Sequence, residues 1–171
     1  MNFIFDTEKE NEFSEIYDLV KIAFQTSENA DGDEQDYVKN LRKSNNYIPE
    51  LALTVKDGIK IIGHIMLTKT IITRGNEKLD SLLLSPVCTQ LEYRNKGIAS
   101  TLIRHSFSLA KDLGFKAVFL VGEPEYYGRF GFKSITNFGI KDTGDIPEQY
   151  TMGLELEDGF LEKKGGTISI C

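Results

Sequence analysis

The sequence predicts an α/β fold in one domain, a central sheet flanked by amphipathic helices, and three observations carry that prediction. Segments rich in β-branched and aromatic residues alternate with segments whose apolar residues recur every three to four positions. Asp57-Gly58 stands between two strand-like runs, which is the signature of a tight hairpin. The 171 residues, 40% hydrophobic and 27% charged, suit a single core, and no repeat, low-complexity tract or linker divides them. Residues 1–171 are therefore read as one domain.

Asn2 to Asp6 reads as a first strand, and from Glu12 the positions Phe13, Ile16, Tyr17, Val20 and Phe24 recur at helical spacing. Ser27 to Asp36 is a polar, acidic loop before a weaker helical stretch with Tyr37, Val38 and Leu41. Leu51 to Val55 and Ile59 to Ile72 form the two arms of the Asp57-Gly58 hairpin. Leu79 to Thr89 is a further strand, expected to be bulged or at an edge because Pro86 has no N–H for a ladder. From Lys96 the chain turns helical: Ile98, Leu102, Leu109 and Leu113 share a face that Ala99, Ile103, Phe107 and Ala110 widen, and Gly114 stops it. Lys116 to Gly122 supplies a buried strand, and Pro124 suits the first turn of a short helix. Met152 to Leu156 and Thr167 to Ile170 read as closing strands.

Charge and composition exclude several functions. Twenty Lys and Arg against 26 Asp and Glu give a net charge of −6, which argues against a nucleic-acid binder with a basic surface and requires any anion to be bound locally. Cys88 lies within an apolar run and Cys171 ends the chain, a pattern of neither a disulfide framework nor a metal cluster, so no metal is expected and a reducing cytoplasm fits. The N-terminus lacks the basic start and continuous apolar region of a secretory signal. The longest apolar runs, such as Leu82 to Leu84 and Ala117 to Val121, fall far short of a membrane span, so a soluble protein is expected.

The most informative stretch is Ser85 to Ala99, a strand that passes through a tight loop into an amphipathic helix. Unpaired N–H groups at a helix start carry the positive end of the dipole, and Gly97 with the small Ala99 lets backbone approach a phosphate. Arg94 and Lys96 add positive charge in an otherwise acidic chain. An ordinary strand-to-helix connection with solvated cations is the plainer alternative, which spacing alone leaves open.

Arg94-Asn95-Lys96-Gly97-Ile98-Ala99 resembles the Arg/Gln-x-x-Gly-x-Gly/Ala signature of the GCN5-related N-acetyltransferase (GNAT) family, which binds the pyrophosphate of acetyl-CoA on this loop. Residues 126–132, Tyr-Tyr-Gly-Arg-Phe-Gly-Phe, resemble the aromatic motif that follows the fifth strand of the same family. Gly122-Glu123-Pro124 before it is similar to a group of small bacterial N-acetyltransferases. Asn95 departs from a frequent Gly and Ala99 from the last Gly; Asn tolerates left-handed backbone, which keeps a tight loop feasible.

The resemblance implies a mixed, mostly antiparallel sheet whose fourth and fifth strands splay apart, acetyl-CoA as cosubstrate, and an amine as acceptor. Carried over, Val87, Cys88 and Thr89 supply backbone to the pantetheine arm, and a free N–H there stabilises a thioester oxyanion. Arg94 through Ala99 hold the pyrophosphate. Tyr126 and Arg129 are assigned to the cosubstrate, against the plainer reading of a core aromatic and a surface cation. Tyr127 takes the place of the general acid that protonates the departing thiolate, since a phenol with a pKa of about 10 carries its proton at neutral pH.

The base that deprotonates the amine is not singled out: Glu123 is assigned the role, with Glu50, Glu92 and His64 as alternatives. His105 is expected to be exposed. Cys88 has no neighbouring His to activate it, and a small buried thiol is the commoner case. A non-catalytic acyl-CoA-binding or sensing module is the competing function, and the acceptor and the oligomeric state are not readable from the chain.

Overall fold

The computed structural model describes residues 2–27, 30–162 and 165–170. Cys171, and Glu28 at the head of the acidic run, lie outside the described residues. The chain forms two compact units, one of residues 1–68 and 85–109 and the other of residues 69–84 and 110–171. Two long strands, β3 (Lys60–Arg74) and β4 (Glu77–Thr89), contribute residues to both.

In the first unit β1 (Phe3–Thr7) pairs antiparallel with β2 (Tyr47–Asp57), from Phe3 opposite Asp57 to Thr7 opposite Leu53. The hairpin at Gly58 then returns β3 along β2, with a register shift between Val55 and Lys56. The helical spacing read in the sequence becomes α1 (Phe13–Phe24), followed by α2 (Glu34–Leu41). Ile16, Leu19, Val20 and Ala23 of α1 bury their face against Val38, Ala52, Ile61, Met66 and Cys88. Burying Ile16, Leu19 and Val20 contributes roughly 1.5–3 kcal/mol each. The third helix, α3 (Ile98–Asp112), packs on β3 at Gly63, where an added Cβ would stand 2.7 Å from Val55 Cγ1 and 3.1 Å from Leu102 Cδ1.

In the second unit β4 runs parallel to β5 (Ala117–Val121), Leu82 opposite Val118 and Leu83 opposite Phe119. The Ser81 hydroxyl donates to the Ala117 carbonyl at 2.9 Å across that pair. The one-turn α4 (Pro124–Tyr127) follows. β8 (Thr151–Glu155) pairs antiparallel with β5 and with β6 (Lys133–Ser134). β7 (Ile140–Asp142) pairs parallel with β9 (Gly166–Ile168), which meets the end of β3 at Thr73. Phe119, Ile135, Phe138, Leu161 and Ile168 are the centre of this unit's core. Gly153 lies on the Phe119 ring, 3.0 Å from its Cε1 to an added Cβ, so a larger residue there would displace the ring.

The architecture is a mixed, mostly antiparallel α/β fold with flanking helices, as the sequence predicts. Two local expectations are corrected. β4 is an internal strand, hydrogen-bonded to β3 on one side and β5 on the other, and Pro86 sits within it after a cis peptide bond to Ser85. The recorded register with β5 lies at Leu82 and Leu83, so the missing N–H of Pro86 falls outside it. Leu113 lies beyond the end of α3 and is 47% exposed, because Asp112 is the last helical residue.

Candidate active site

The loop between β4 and α3 is fixed at three points in the first unit. Gln90 donates its backbone N–H to the Ile62 carbonyl at 2.8 Å and its side-chain amide to the Ile61 carbonyl at 3.3 Å, which ties the end of β4 to β3. Residues 91–93 make one 3-10 turn that brings the Tyr93 hydroxyl to 2.6 Å from Asp57 Oδ2. Arg94 then reaches back to α1, with Nη2 donating to the Ala23 carbonyl at 2.8 Å and Nη1 to Thr26 Oγ1 at 3.1 Å. A cation at a helix C-terminus complements the dipole, so this guanidinium anchors the loop to the end of α1.

Between that anchor and the helix the backbone alternates: Asn95 has φ 63° and Gly97 φ 78°, both left-handed. Nothing lies within 4 Å of a Cβ built on Gly97, so glycine is required there by its φ and the space above it is open. The first helical bond runs from the Thr101 N–H to the Gly97 carbonyl at 3.0 Å, and the Thr101 hydroxyl joins it at 2.8 Å. The amides of Ile98, Ala99 and Ser100 precede that bond and have no intrahelical acceptor, which makes the start of this 15-residue helix a donor site for an anion. Lys96 Nζ lies 5.2 Å from the Tyr93 ring centroid, and Lys60 Nζ 5.8 Å from the same ring.

The strand before the loop holds Val87 half-buried and Thr89 buried, with Cys88 only 6% exposed. Burial pushes the Cys88 thiol up to about 12, against the opposing pull of a backbone hydrogen bond from His64 and the charge of Arg94. Such a thiol is protonated at neutral pH and is not a nucleophile.

In the second unit the aromatic motif runs from the end of α4 through a 3-10 turn at Gly128–Phe130. Glu123 caps α4, and the Tyr127 N–H donates to its carbonyl at 3.0 Å. Gly122 donates its N–H to the Tyr150 carbonyl at 2.9 Å. A Cβ at Gly122 would stand 2.4 Å from Tyr127 Cε2, so the ring lies directly on this glycine. Tyr127 meets Tyr126 edge-on at 4.9 Å and Phe132 at 6.0 Å between centroids. Burial, with a smaller contribution from Tyr126, pushes its phenol up to about 12. The Arg129 guanidinium covers the Tyr126 ring at 4.6 Å. Glu123, Arg129 and Lys133 are exposed.

Residues 87–99 are thus organised within one unit, and Glu123, Tyr126, Tyr127 and Arg129 within the other. Among the alternative bases, Glu92 is paired with Lys60, which holds its carboxyl below the usual range, and Glu50 is exposed on β2. His105 is exposed on α3. His64 is fully buried with Nε2 2.8 Å from Glu8 Oε1. Glu8 also accepts from Arg42 Nε and Nη2 at 2.8 and 2.9 Å and from the Tyr47 hydroxyl at 2.6 Å. Sequence reasoning missed this buried cluster because Arg42, Tyr47 and His64 lie 34, 39 and 56 positions from Glu8. No group of three His, Cys, Asp or Glu suited to a metal occurs among the described residues.

A family model described as an acetyltransferase (GNAT) domain matches residues 5–135. The uncharacterized N-acetyltransferase YjhQ of Escherichia coli K12 is 27% identical over 150 residues, covering 87% of this chain and 80% of that protein. The uncharacterized N-acetyltransferase YhbS of the same strain is 27% identical over 108 residues, a match spanning 63% of each chain. Among solved structures, E. coli YhbS in complex with CoA superposes with a TM-score of 0.85 at 20% identity, covering 99% of this chain and 89% of that one. A GNAT family acetyltransferase from Brucella melitensis in complex with acetyl-CoA gives a TM-score of 0.79 at 21% identity, covering 98% and 95%. At these identities the structural likenesses show a shared fold.

Proposed function

This chain belongs to the GNAT acetyltransferase family, and from that premise we propose that residues 1–171 act as one N-acetyltransferase domain that moves the acetyl group of acetyl-CoA directly to a primary amine. The observation that carries the reading is the start of α3. Left-handed Asn95 and Gly97 lead into the helix, nothing lies within 4 Å of a Cβ built on Gly97, and the leading amides of Ile98, Ala99 and Ser100 have no intrahelical acceptor, the arrangement a pyrophosphate needs. Relatives of this fold bind CoA and acetyl-CoA, which supports the same cosubstrate here. Arg94 contributes by holding the loop against α1, and Lys96 and Arg129 by charge.

In this reading the backbone of Val87, Cys88 and Thr89 pairs with the pantetheine arm. A free N–H on that segment polarises the thioester carbonyl. The ammonium gives one proton to the Glu123 carboxylate, its nitrogen attacks the carbonyl carbon, and the second N–H proton of the tetrahedral intermediate leaves to solvent. When the carbon–sulfur bond breaks, the Tyr127 hydroxyl gives its proton to the departing thiolate, and solvent restores the phenol. A cytoplasmic location belongs to the same proposal, supported by a free, buried Cys88. No helix among the described residues is long and apolar enough to cross a membrane.

The test is a calorimetric titration with acetyl-CoA followed by an amine panel scored by release of free CoA. Saturable binding with turnover on one acceptor is expected. Failure to saturate at millimolar acetyl-CoA would sink the reading, and saturation without turnover on any amine would favour a sensing module.

A further inference from the structure

We propose that the helix pair of the first unit carries a binding site for a small aromatic carboxylate, at the start of α1 and the end of α2. A cavity of about 540 Å³ there is lined by Phe13, Ser14, Tyr17, Lys39, Arg42 and Lys43, a volume suited to a small organic ligand. Three of its six lining residues are cations and none is a carboxylate, in a chain whose net charge is −6. The rings of Phe13 and Tyr17 supply an apolar wall. Lys39, Arg42 and Lys43 stand in the last turn of α2 and just past it, and α1 begins at Phe13; the two helix ends at the cavity carry dipole charges of opposite sign, so the positive character of the site comes from these three side chains.

The floor is preorganised. Arg42 makes two hydrogen bonds to the fully buried Glu8 carboxylate, at 2.8 and 2.9 Å, and its Cζ lies 3.9 Å from the Phe13 ring centroid. Glu8 is fixed in turn by Tyr47 and His64. That geometry uses Nε and Nη2 of Arg42, and Nη1 makes no hydrogen bond among the described residues. Glu8 neutralises Arg42, whereas Lys39 and Lys43 make no ion pair among the described residues. Of the acids bonded to lining residues, Glu8 is held by Arg42 and Asp36 accepts from the Tyr17 hydroxyl at 2.9 Å. The site thus presents two uncompensated ammonium groups, a free guanidinium nitrogen and two rings, a pattern that fits a carboxylate carried on an aromatic body.

The inference does not rest on acetyl transfer, and its test is independent of acetyl-CoA. The full chain is titrated with phenylacetate and, separately, with the neutral phenylacetamide, followed by protein NMR. Saturation by phenylacetate with shifts at residues 13–17 and 39–43 is expected, with phenylacetamide about tenfold weaker. The Lys39→Ala/Lys43→Ala double variant, whose substituted side chains are exposed, should keep its melting temperature and lose roughly three- to tenfold in affinity. Tyr17→Leu should weaken phenylacetate and phenylacetamide alike. Absence of saturation, equal affinity for the two probes, shifts confined to other residues, or unchanged affinity in the double variant would each overturn the site.

Discussion

A phenol held near 12 keeps its proton across the whole working range of an enzyme, and burial of the Tyr127 ring is the cause. That suits a group that must donate to a thiolate, so Tyr127→Phe should retain acetyl-CoA affinity and lose about 100-fold in kcat. Equal turnover would remove the residue from the mechanism. Its high pKa also means that a pH–rate limb below pH 9 comes from another group and should persist in the variant. Cys88 is the contrasting case: the same cause, burial, leaves a thiol near 12 that is useless as a nucleophile. Iodoacetamide at pH 8 should leave Cys88 unmodified in the folded protein, as read by peptide mass, and Cys88→Ala should keep turnover. Both side chains were found by motif, but Gly122, on which the Tyr127 ring lies, acquires its meaning only in three dimensions, where a Cβ would meet the ring at 2.4 Å.

Where β4 passes into α3, local chemistry and sequence agree. Gly97 at φ 78° opens a 15-residue helix whose first amides are free, and Gly97→Val places a β-branched residue in a conformation costing of order 1–3 kcal/mol. Acetyl-CoA affinity should fall at least tenfold while the far-ultraviolet spectrum is kept; unchanged affinity would show that this turn does not hold a diphosphate. The Arg94 side chain was read as charge for the ligand, and the structure gives it to the end of α1. The reason is that the partners, Ala23 and Thr26, are some 70 positions away, which no spacing rule anticipates. Nearer the other end of α1, burial alone would raise the Glu8 carboxyl, but hydrogen bonds from His64, Arg42 and Tyr47 more than reverse it and hold it at about 2, from an ordinary 4.5. Because this folded-state pKa is depressed, the stabilisation is complete above about pH 4.5 and is lost as pH falls towards about 2. Glu8→Gln should cost roughly 3 kcal/mol at pH 7 and flatten the acid limb of a denaturation curve between those values. A variant as acid-sensitive as the native chain would contradict the assignment.

Two compact units share β3 and β4 as continuous strands, so at the scale of the whole chain the proposed single domain has a calorimetric consequence. Thermal unfolding should give one transition, raised by acetyl-CoA according to mass action, with about 2.7 kcal/mol gained at a hundred times Kd. Two separable transitions, only one of them moved by ligand, would argue for independent domains.

By itself the sequence determined the order of strands and helices from β1 to α4 and the two later strands β8 and β9, because hydrophobic periodicity and the Asp57-Gly58 turn are local properties; β6 and β7, of two and three residues, are too short to carry a period. It also determined the glycine-bearing entry to α3 and the aromatic turn, because each is contiguous. What only tertiary structure decided is everything made by distant residues. β4 became an internal strand through pairing at Leu82 and Leu83, short of Pro86. Arg94 was turned towards α1, and Glu8, Arg42, Tyr47 and His64 were gathered into one buried cluster. A buried charge has to find its partners wherever the fold brings them, and that requirement leaves no periodic trace along the chain.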